Sequence, residues 1–422
     1  MAEFQPFRAI RYNTGQCGHD WSSLIAPPYD VLTADDKAAL LAQSSHNVVA
    51  IDLPFVPPTQ AGPAEVYQQA ATTLKRMRDE NVLIQEEAPS LYAYHQQYEH
   101  NGHGYTRRVL FAAMRLEAFS EGTVFPHELT HGGPKEDRLA LMRATRCQLS
   151  PVFALFSDPS NSIASALNCI SAPPEATAQC GDVTHHMWVE RDADTIAHIK
   201  ILLDGSKVFI ADGHHRYQTA LNYRDELARA GALTPDHPAN FVLVGLCAME
   251  DPGCIILPTH RVLSGLGSLT PADVLAAWKP ACTFTPIDHC VPPAGDADIT
   301  VFCGDTGEAF SGRFTDRARL AELAPDRSKP WRALDLAYLH RYMIEELLIT
   351  KALGGAAPSV GYTPVLKTAQ SQARETGGLA IVVKPSTMAE LRAVAQAQDF
   401  MPQKSTYFYP KLATGLVLHP LA

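Results

Sequence analysis

Five consecutive polar-or-glycine positions, Asp212-Gly213-His214-His215-Arg216, stand between two segments of different character. Their side chains are of the kinds that take hold of a phosphoryl group. Arg216 carries a fixed fork of donors that matches phosphate oxygens. Asp212 offers oxygen to a hard cation such as Mg²⁺, or to a substrate hydroxyl. His214 and His215 could touch the phosphate or the group that accepts it. Before them, Val208-Phe209-Ile210-Ala211 is a short apolar run that reads as a buried strand. After them, Tyr217, Leu221, Tyr223 and Leu227 recur near the helical period. Gly213 tolerates the tight turn between the two. A strand that turns and leaves as a helix exposes backbone N–H groups, and such a helix start attracts anions. Taken singly, each residue also has a plain structural part: Asp212 as a helix cap, the histidines as surface polar groups.

A second string, His127-Glu128-Leu129-Thr130-His131, spells the H-E-x-x-H of zinc proteases. That chemistry needs both imidazoles on one face of a continuous helix. Here Pro126 precedes the string and Gly132-Gly133-Pro134 follows it, so a helix confined to it is poorly nucleated. Glu128 instead reads as a candidate general base. Lys135 and Arg138, just beyond, are candidate anion contacts or a charged helix surface. Tyr29 and Asp30, in Pro27-Pro28-Tyr29-Asp30-Val31, either face a site or form a rigid turn. His260 and Arg261 follow a strand and are candidate substrate contacts.

The elements that would position these groups alternate. A helix is expected over 64–80, with Val66, Ala70, Leu74 and Met77 on one stripe. Residues 91–98 and 105–116 form a hairpin around Asn101-Gly102. Adjacent His185 and His186 lie on a strand and point to opposite faces, a poor metal pair. Strands are expected at 47–53, 239–249 and 378–384, and a long helix within 331–353. The alternation predicts an α/β fold, a mixed sheet with flanking helices and a smaller α/β subdomain. Residues 1–263 form the core, 264–330 the subdomain, and 331–422 pack back on the core.

Composition narrows the partners. The 422 residues are 46% hydrophobic, with 35 basic and 45 acidic side chains and a net charge of -10. No basic tail or lysine run is present, which argues against nucleic acid. No apolar run approaches membrane-spanning length, and the N-terminal residues do not read as a secretory signal. The nine cysteines include no C-x-x-C pair, as expected of a reducing cytoplasm.

The stretch Ala-Asp-Gly-His-His-Arg-Tyr-x-Thr-Ala resembles the signature of the domain-of-unknown-function 1015 family. Pro-Pro-Tyr-Asp-Val, His-Glu-x-Thr followed by Lys and Asp-Arg, Pro-Thr-His-Arg, and Met401-Pro-Gln-Lys404-Ser405-Thr406-Tyr-Phe-Tyr-Pro-Lys411 fit the same resemblance. It covers nearly the whole chain. The core Asp-Gly-His-x-Arg is also similar to the phosphate-binding motif of free-serine kinases in the ParB/sulfiredoxin superfamily. This implies ParB/sulfiredoxin-like core elements and a kinase acting on free L-serine, with ATP, ADP or pyrophosphate as donor and Mg²⁺ on Asp212. Asp212 and His214 would be catalytic, and Glu128 joins them as base on its chemistry alone, since its distance from the motif departs from the short serine kinases. Gly213, His215, Arg216, Lys135 and Arg138 would hold phosphate, with Lys404, Ser405 and Thr406 closing over it. A non-catalytic phosphate or nucleotide sensor and a metal-dependent hydrolase are the alternatives.

Overall fold

The computed structural model describes residues 2–129, 132–160, 162–168 and 172–422. The chain forms two compact units, Met1–Ile255 with Pro410–Ala422, and Ile256–Tyr409.

The described residues of the first unit build a nine-stranded mixed sheet. Its strands are β1 (Phe4–Gln5), β2 (Leu91–His100), β3 (His103–Arg115), β4 (Val124–Phe125), β5 (Val152–Phe156), β6 (Ala176–Cys180), β7 (Val183–Glu190), β8 (Val208–Asp212) and β9 (Phe241–Ala248). They run in the order β4-β8-β5-β9-β3-β2-β7-β6, with β1 beside β3. The β4–β8 and β5–β9 pairs are parallel, and the others antiparallel. β8 is an interior strand, and this is why Val208 to Ile210 are apolar without alternation. Its register with β5 slips between Ile210 and Asp212. Such a bulge re-aims the side chain that follows it, here the motif carboxylate.

The hairpin is tighter than the sequence suggested. His100 pairs with His103, leaving only Asn101 and Gly102 in the turn, with φ 51° and 75°. Both residues tolerate that left-handed backbone. His185 is buried and His186 half-buried, as strand alternation requires.

Helices α1 (Ala64–Asp79), α2 (Gly132–Thr145), α3 (Ala193–Leu203) and α4 (His214–Arg229) belong to this unit. On α1 the buried stripe is Tyr67, Ala70, Leu74 and Met77, with Tyr67 in the place expected of Val66. On α4, Tyr217, Ala220 and Leu221 pack into a core shared with Val208, Ile210, Val244 and Leu246. Burying an isoleucine such as Ile210 stabilises by roughly 1.5–3 kcal/mol.

The strand expected at 47–53 is instead a helical turn, Val49–Asp52. The Asn47 side chain accepts from Val49 N at 3.0 Å and donates to the Ser23 and Ile25 carbonyls at 2.9 and 3.0 Å. This local capping overrides the β-branched composition.

The second unit holds an antiparallel sheet of β10 (His260–Ser264), β11 (Cys282–Ile287), β12 (Ile299–Cys303), β13 (Ala309–Phe314), β14 (Ser359–Thr363) and β15 (Leu379–Val383). Their order is β11-β13-β12-β15-β10-β14. The divisions expected at 263/264 and 330/331 therefore differ from those of the structure. β12 pairs with β15, so hydrogen bonding joins 264–330 to later residues in one sheet. The long helix expected within 331–353 is broken. Lys329–Arg332 and Asp335–Ala337 are short, and Tyr338–Ala352 winds in the wider π form. Among the described residues no helix is long and apolar enough to cross a membrane.

Candidate functional site

The polar turn lies where β8 hands over to α4. Gly213 has φ 86° and ψ 29°, and it offers no side chain to cap the helix. Its carbonyl accepts from Tyr217 N at 2.9 Å, opening the helical ladder. Its own N–H donates to Asp212 Oδ1 at 2.9 Å. Arg216 folds back over the turn, so that a Cβ placed on Gly213 would lie 2.8 Å from Arg216 Nε. Arg216 Nη1 donates to the Pro151 carbonyl, and Nη2 lies 3.7 Å from Asp212 Oδ2.

The next cation comes from far along the chain. Lys411 Nζ sits 3.0 Å from Asp212 Oδ2, across 199 positions. Burial would raise the Asp212 carboxyl, but Lys411 and Arg216 outweigh it and hold the group well below the usual carboxylate range. Two cations thus face one carboxylate at a helix N-terminus. The tail signature points to Lys404, Ser405 and Thr406 as phosphate contacts, whereas the lysine beside Asp212 is Lys411. Both lysines belong to the same sequence motif, which does not say which of them reaches Asp212.

His214 is turned inwards and is 5% exposed. His127 N donates to His214 Nε2 at 3.3 Å, and the rings meet edge-on with centroids 4.7 Å apart. His127 Nδ1 donates to the Ile210 carbonyl at 2.8 Å. Burial pushes both imidazoles below their ordinary value, so both are neutral at pH 7. The pair ties the segment after β4 to the turn. In this placement the His214 ring packs against His127. His215 is half-buried in the first turn of α4. Glu128 is half-buried and adjoins His127.

Arg138 is not the surface charge that its helix suggested. It is 6% exposed, with Nε on Asp137 Oδ2 at 2.7 Å and Nη1 on the Asp52 carbonyl at 2.6 Å. Its guanidinium lies 3.9 Å from the ring centroid of Tyr29. Tyr29 is buried beneath it, whereas Asp30 is exposed. Lys135 is half-buried on α2. A cavity of about 30 Å³ is lined in part by Asp52, Arg138, Ser150, Arg216 and Thr219. That is room for roughly two waters. The Thr219 hydroxyl beside it has no hydrogen-bond partner.

His260, Arg261, Lys404, Ser405 and Thr406 belong to the second unit. His260 is buried, and its Nδ1 accepts from Val383 N at 3.3 Å. Arg261 is fully buried, and burial lowers it to about 10. Its Nε donates to His340 Nε2 at 3.0 Å, Nη1 to the Thr259 carbonyl, and Nη2 to the Gln403 and Lys404 carbonyls at 3.2 and 3.1 Å. Arg261 therefore clamps the backbone that carries Lys404, which has φ 55° and an exposed side chain. Ser405 Oγ donates to the Pro402 carbonyl at 2.5 Å, and Thr406 is half-buried.

Among the described residues no three His, Cys, Asp or Glu side chains converge as a metal site. Asp212, the expected Mg²⁺ ligand, already has Lys411 and Arg216 beside Oδ2, so a third cation would meet no uncompensated charge. The residues present do not fit a protein-held Mg²⁺. His131 of the H-E-x-x-H string lies outside the described residues. His127 to Leu129 are not helical, so the shared helical face that zinc proteases need is missing there.

Residues 4–337 match a family model described as "Protein of unknown function (DUF1015)". No curated protein matches. Among solved structures, a free serine kinase in complex with AMP is 10% identical, over 73% of this chain and 92% of that one, with a TM-score of 0.35. A conserved hypothetical protein from Pyrococcus furiosus is 11% identical, over 73% and 95%, with a TM-score of 0.35. SbnI with C-terminal truncation from Staphylococcus aureus is 11% identical, over 74% and 87%, with a TM-score of 0.36. These scores describe loose superpositions.

Proposed function

The chain belongs to the DUF1015 family, and we propose that this member is a small-molecule phosphotransferase that holds the transferred phosphoryl group at the Asp212–Arg216 turn. The favoured acceptor is free L-serine, and the donor is ATP, ADP or pyrophosphate. One observation carries the reading: Arg216 and Lys411 both face Asp212 where a 16-residue helix begins. A helix N-terminus with two cationic donors beside it favours a phosphate dianion. The acceptor rests on the likeness of Asp-Gly-His-x-Arg to the free-serine kinase motif.

Phosphoryl transfer is mostly positioning and charge stabilisation. Arg216 supplies the fork of donors, anchored by Pro151 and folded over Gly213. Neutral His127 and His214 fix the turn against β8. Glu128 is the proposed base for the acceptor's hydroxyl proton. A non-catalytic phosphate or nucleotide sensor is the second reading. It is favoured by the engagement of both Asp212 oxygens, which leaves that carboxylate no evident catalytic task.

Incubation of the protein with serine, Mg²⁺ and each donor in turn tests the proposal through formation of O-phosphoserine. Turnover falling by about 10²–10³ in Arg216→Ala, the usual cost of a lost transition-state donor, supports the kinase. Donor binding with no product under any condition supports the sensor.

A further inference from the structure

We propose that Lys411 is itself a phosphate-binding residue of the turn and does there what a divalent cation was expected to do. This rests on the phosphoryl reading of the same site.

The charges are the first argument. Lys411 Nζ and Arg216 Nη2 lie 3.0 and 3.7 Å from one oxygen of Asp212. Both cations stand at the start of α4, where backbone N–H groups also favour an anion. A ligand with two negative charges, such as inorganic phosphate or a terminal phosphoryl group, would be matched by this pair of cationic donors. An ammonium is a compact point charge, closer in kind to a small metal ion than the flat guanidinium is.

The second argument is the care with which the backbone of Lys411 is placed. Gln96 on β2 and Arg107 on β3 are direct cross-strand partners, and both are fully buried. Gln96 Nε2 donates to the Lys411 carbonyl at 2.9 Å. Arg107 Nη2 donates to the Pro410 carbonyl, and Arg107 Nε to Gln96 Oε1 at 3.0 Å. Two residues on, Ala413 N donates to Tyr94 Oη at 3.4 Å, and Tyr94 Oη in turn lies 2.6 Å from His185 Nδ1. Among the described residues Arg107 has no carboxylate within ion-pair distance, and its Nη1 has no hydrogen-bond partner. Its guanidinium lies 4.8 Å from the ring centroid of Phe153, the residue paired with Asp212 in the sheet. A buried arginine without a counter-ion is costly. Merely ending a chain on a sheet does not call for one. Here the cost falls on the carbonyls that flank and carry Lys411. Arg107 is therefore a positioning residue for Lys411.

The test is calorimetric titration of inorganic phosphate and pyrophosphate in EDTA, with circular dichroism as the check on folding. The wild-type protein is expected to bind without any divalent ion. Lys411→Met should weaken binding about 10- to 100-fold, the scale of one charge-assisted hydrogen bond, and Lys411→Arg should restore most of it. A measurement on the unaltered chain runs alongside. Acetylation of Lys411, followed by mass spectrometry, should slow when pyrophosphate is present. Lys411→Met binding like wild type while Arg216→Gln has lost binding overturns the inference and leaves the phosphoryl reading standing. Unchanged acetylation, or wild-type binding that appears only with Mg²⁺, overturns it too. If the wild-type protein binds neither anion under any condition, both readings fall.

Discussion

At Gly213 two demands meet in one residue. The backbone is left-handed, and the space a Cβ would need is filled by the Arg216 guanidinium. Gly213→Ala should therefore cost about 1–2 kcal/mol from backbone strain alone. It should also push Arg216 off its seat, so anion affinity falls with stability. Chemical denaturation and pyrophosphate titration read the two effects separately. A variant that loses stability but keeps its affinity would show that Arg216 does not need this seat. The same scale explains why Lys411 was hard to see. Lys404 and Lys411 share a type, a motif and an aromatic neighbourhood in sequence. They differ in which unit their backbone joins, and no property of a lysine in sequence reports that.

Elements whose signals are local were legible. The β8–Gly213–α4 passage and the hairpin at Asn101-Gly102 were read from a few neighbouring residues. The 47–53 segment failed because the Asn47 side chain, not the β-branched run, sets its winding. Arg138 looked like a surface charge because its partners Asp52 and Tyr29 lie about a hundred residues earlier. The C-terminal segment 410–422 was placed only loosely, since its partners are spread through the first unit. Thr414 exchanges backbone bonds with Ala26 at 2.8 and 3.1 Å, Leu418 does so with Ile10 at 2.8 and 2.9 Å, and His419 pairs with Gln148. Deleting 410–422 should thus loosen elements far apart in sequence together. Hydrogen exchange is expected to quicken at Ile10, Ala26 and Gln148 alike. Faster exchange at one of them alone would mean that the segment is a local patch rather than a tie.

Across the whole molecule the net charge is -10, yet Arg216 and Lys411 gather at one carboxylate, so global charge says little about what that turn would bind. Buried histidines give the molecule a common response to acid. Burial lowers His185 and His419 to about 4 in the first unit, and His340 to about 3 in the second. Unfolded, each would titrate near its ordinary value of about 6.5. Between those values the unfolded chain binds more protons, so stability is full above about pH 6.5 and declines as pH falls toward 4. Each group contributes at most about 1.4 kcal/mol per pH unit within that window. Asp212, held below its ordinary value, acts in the same direction at lower pH still, since its stabilisation is lost as pH falls beneath the carboxylate range. Urea denaturation at pH 7.5, 6 and 5 should give falling midpoints. Equal midpoints would mean that these histidines titrate normally.

The chain leaves the first unit at Ile255 and re-enters it at Pro410. During synthesis Asp212 therefore emerges long before the lysine that neutralises it, with 199 positions between them. At bacterial-type rates of about 5–20 residues per second, that interval is on the order of 10–40 s. A nascent polypeptide halted within it would have Arg216, but not Lys411, to set beside Asp212. If the turn binds anions as proposed, prematurely stopped products that lack Lys411 should bind them more weakly than the full-length chain.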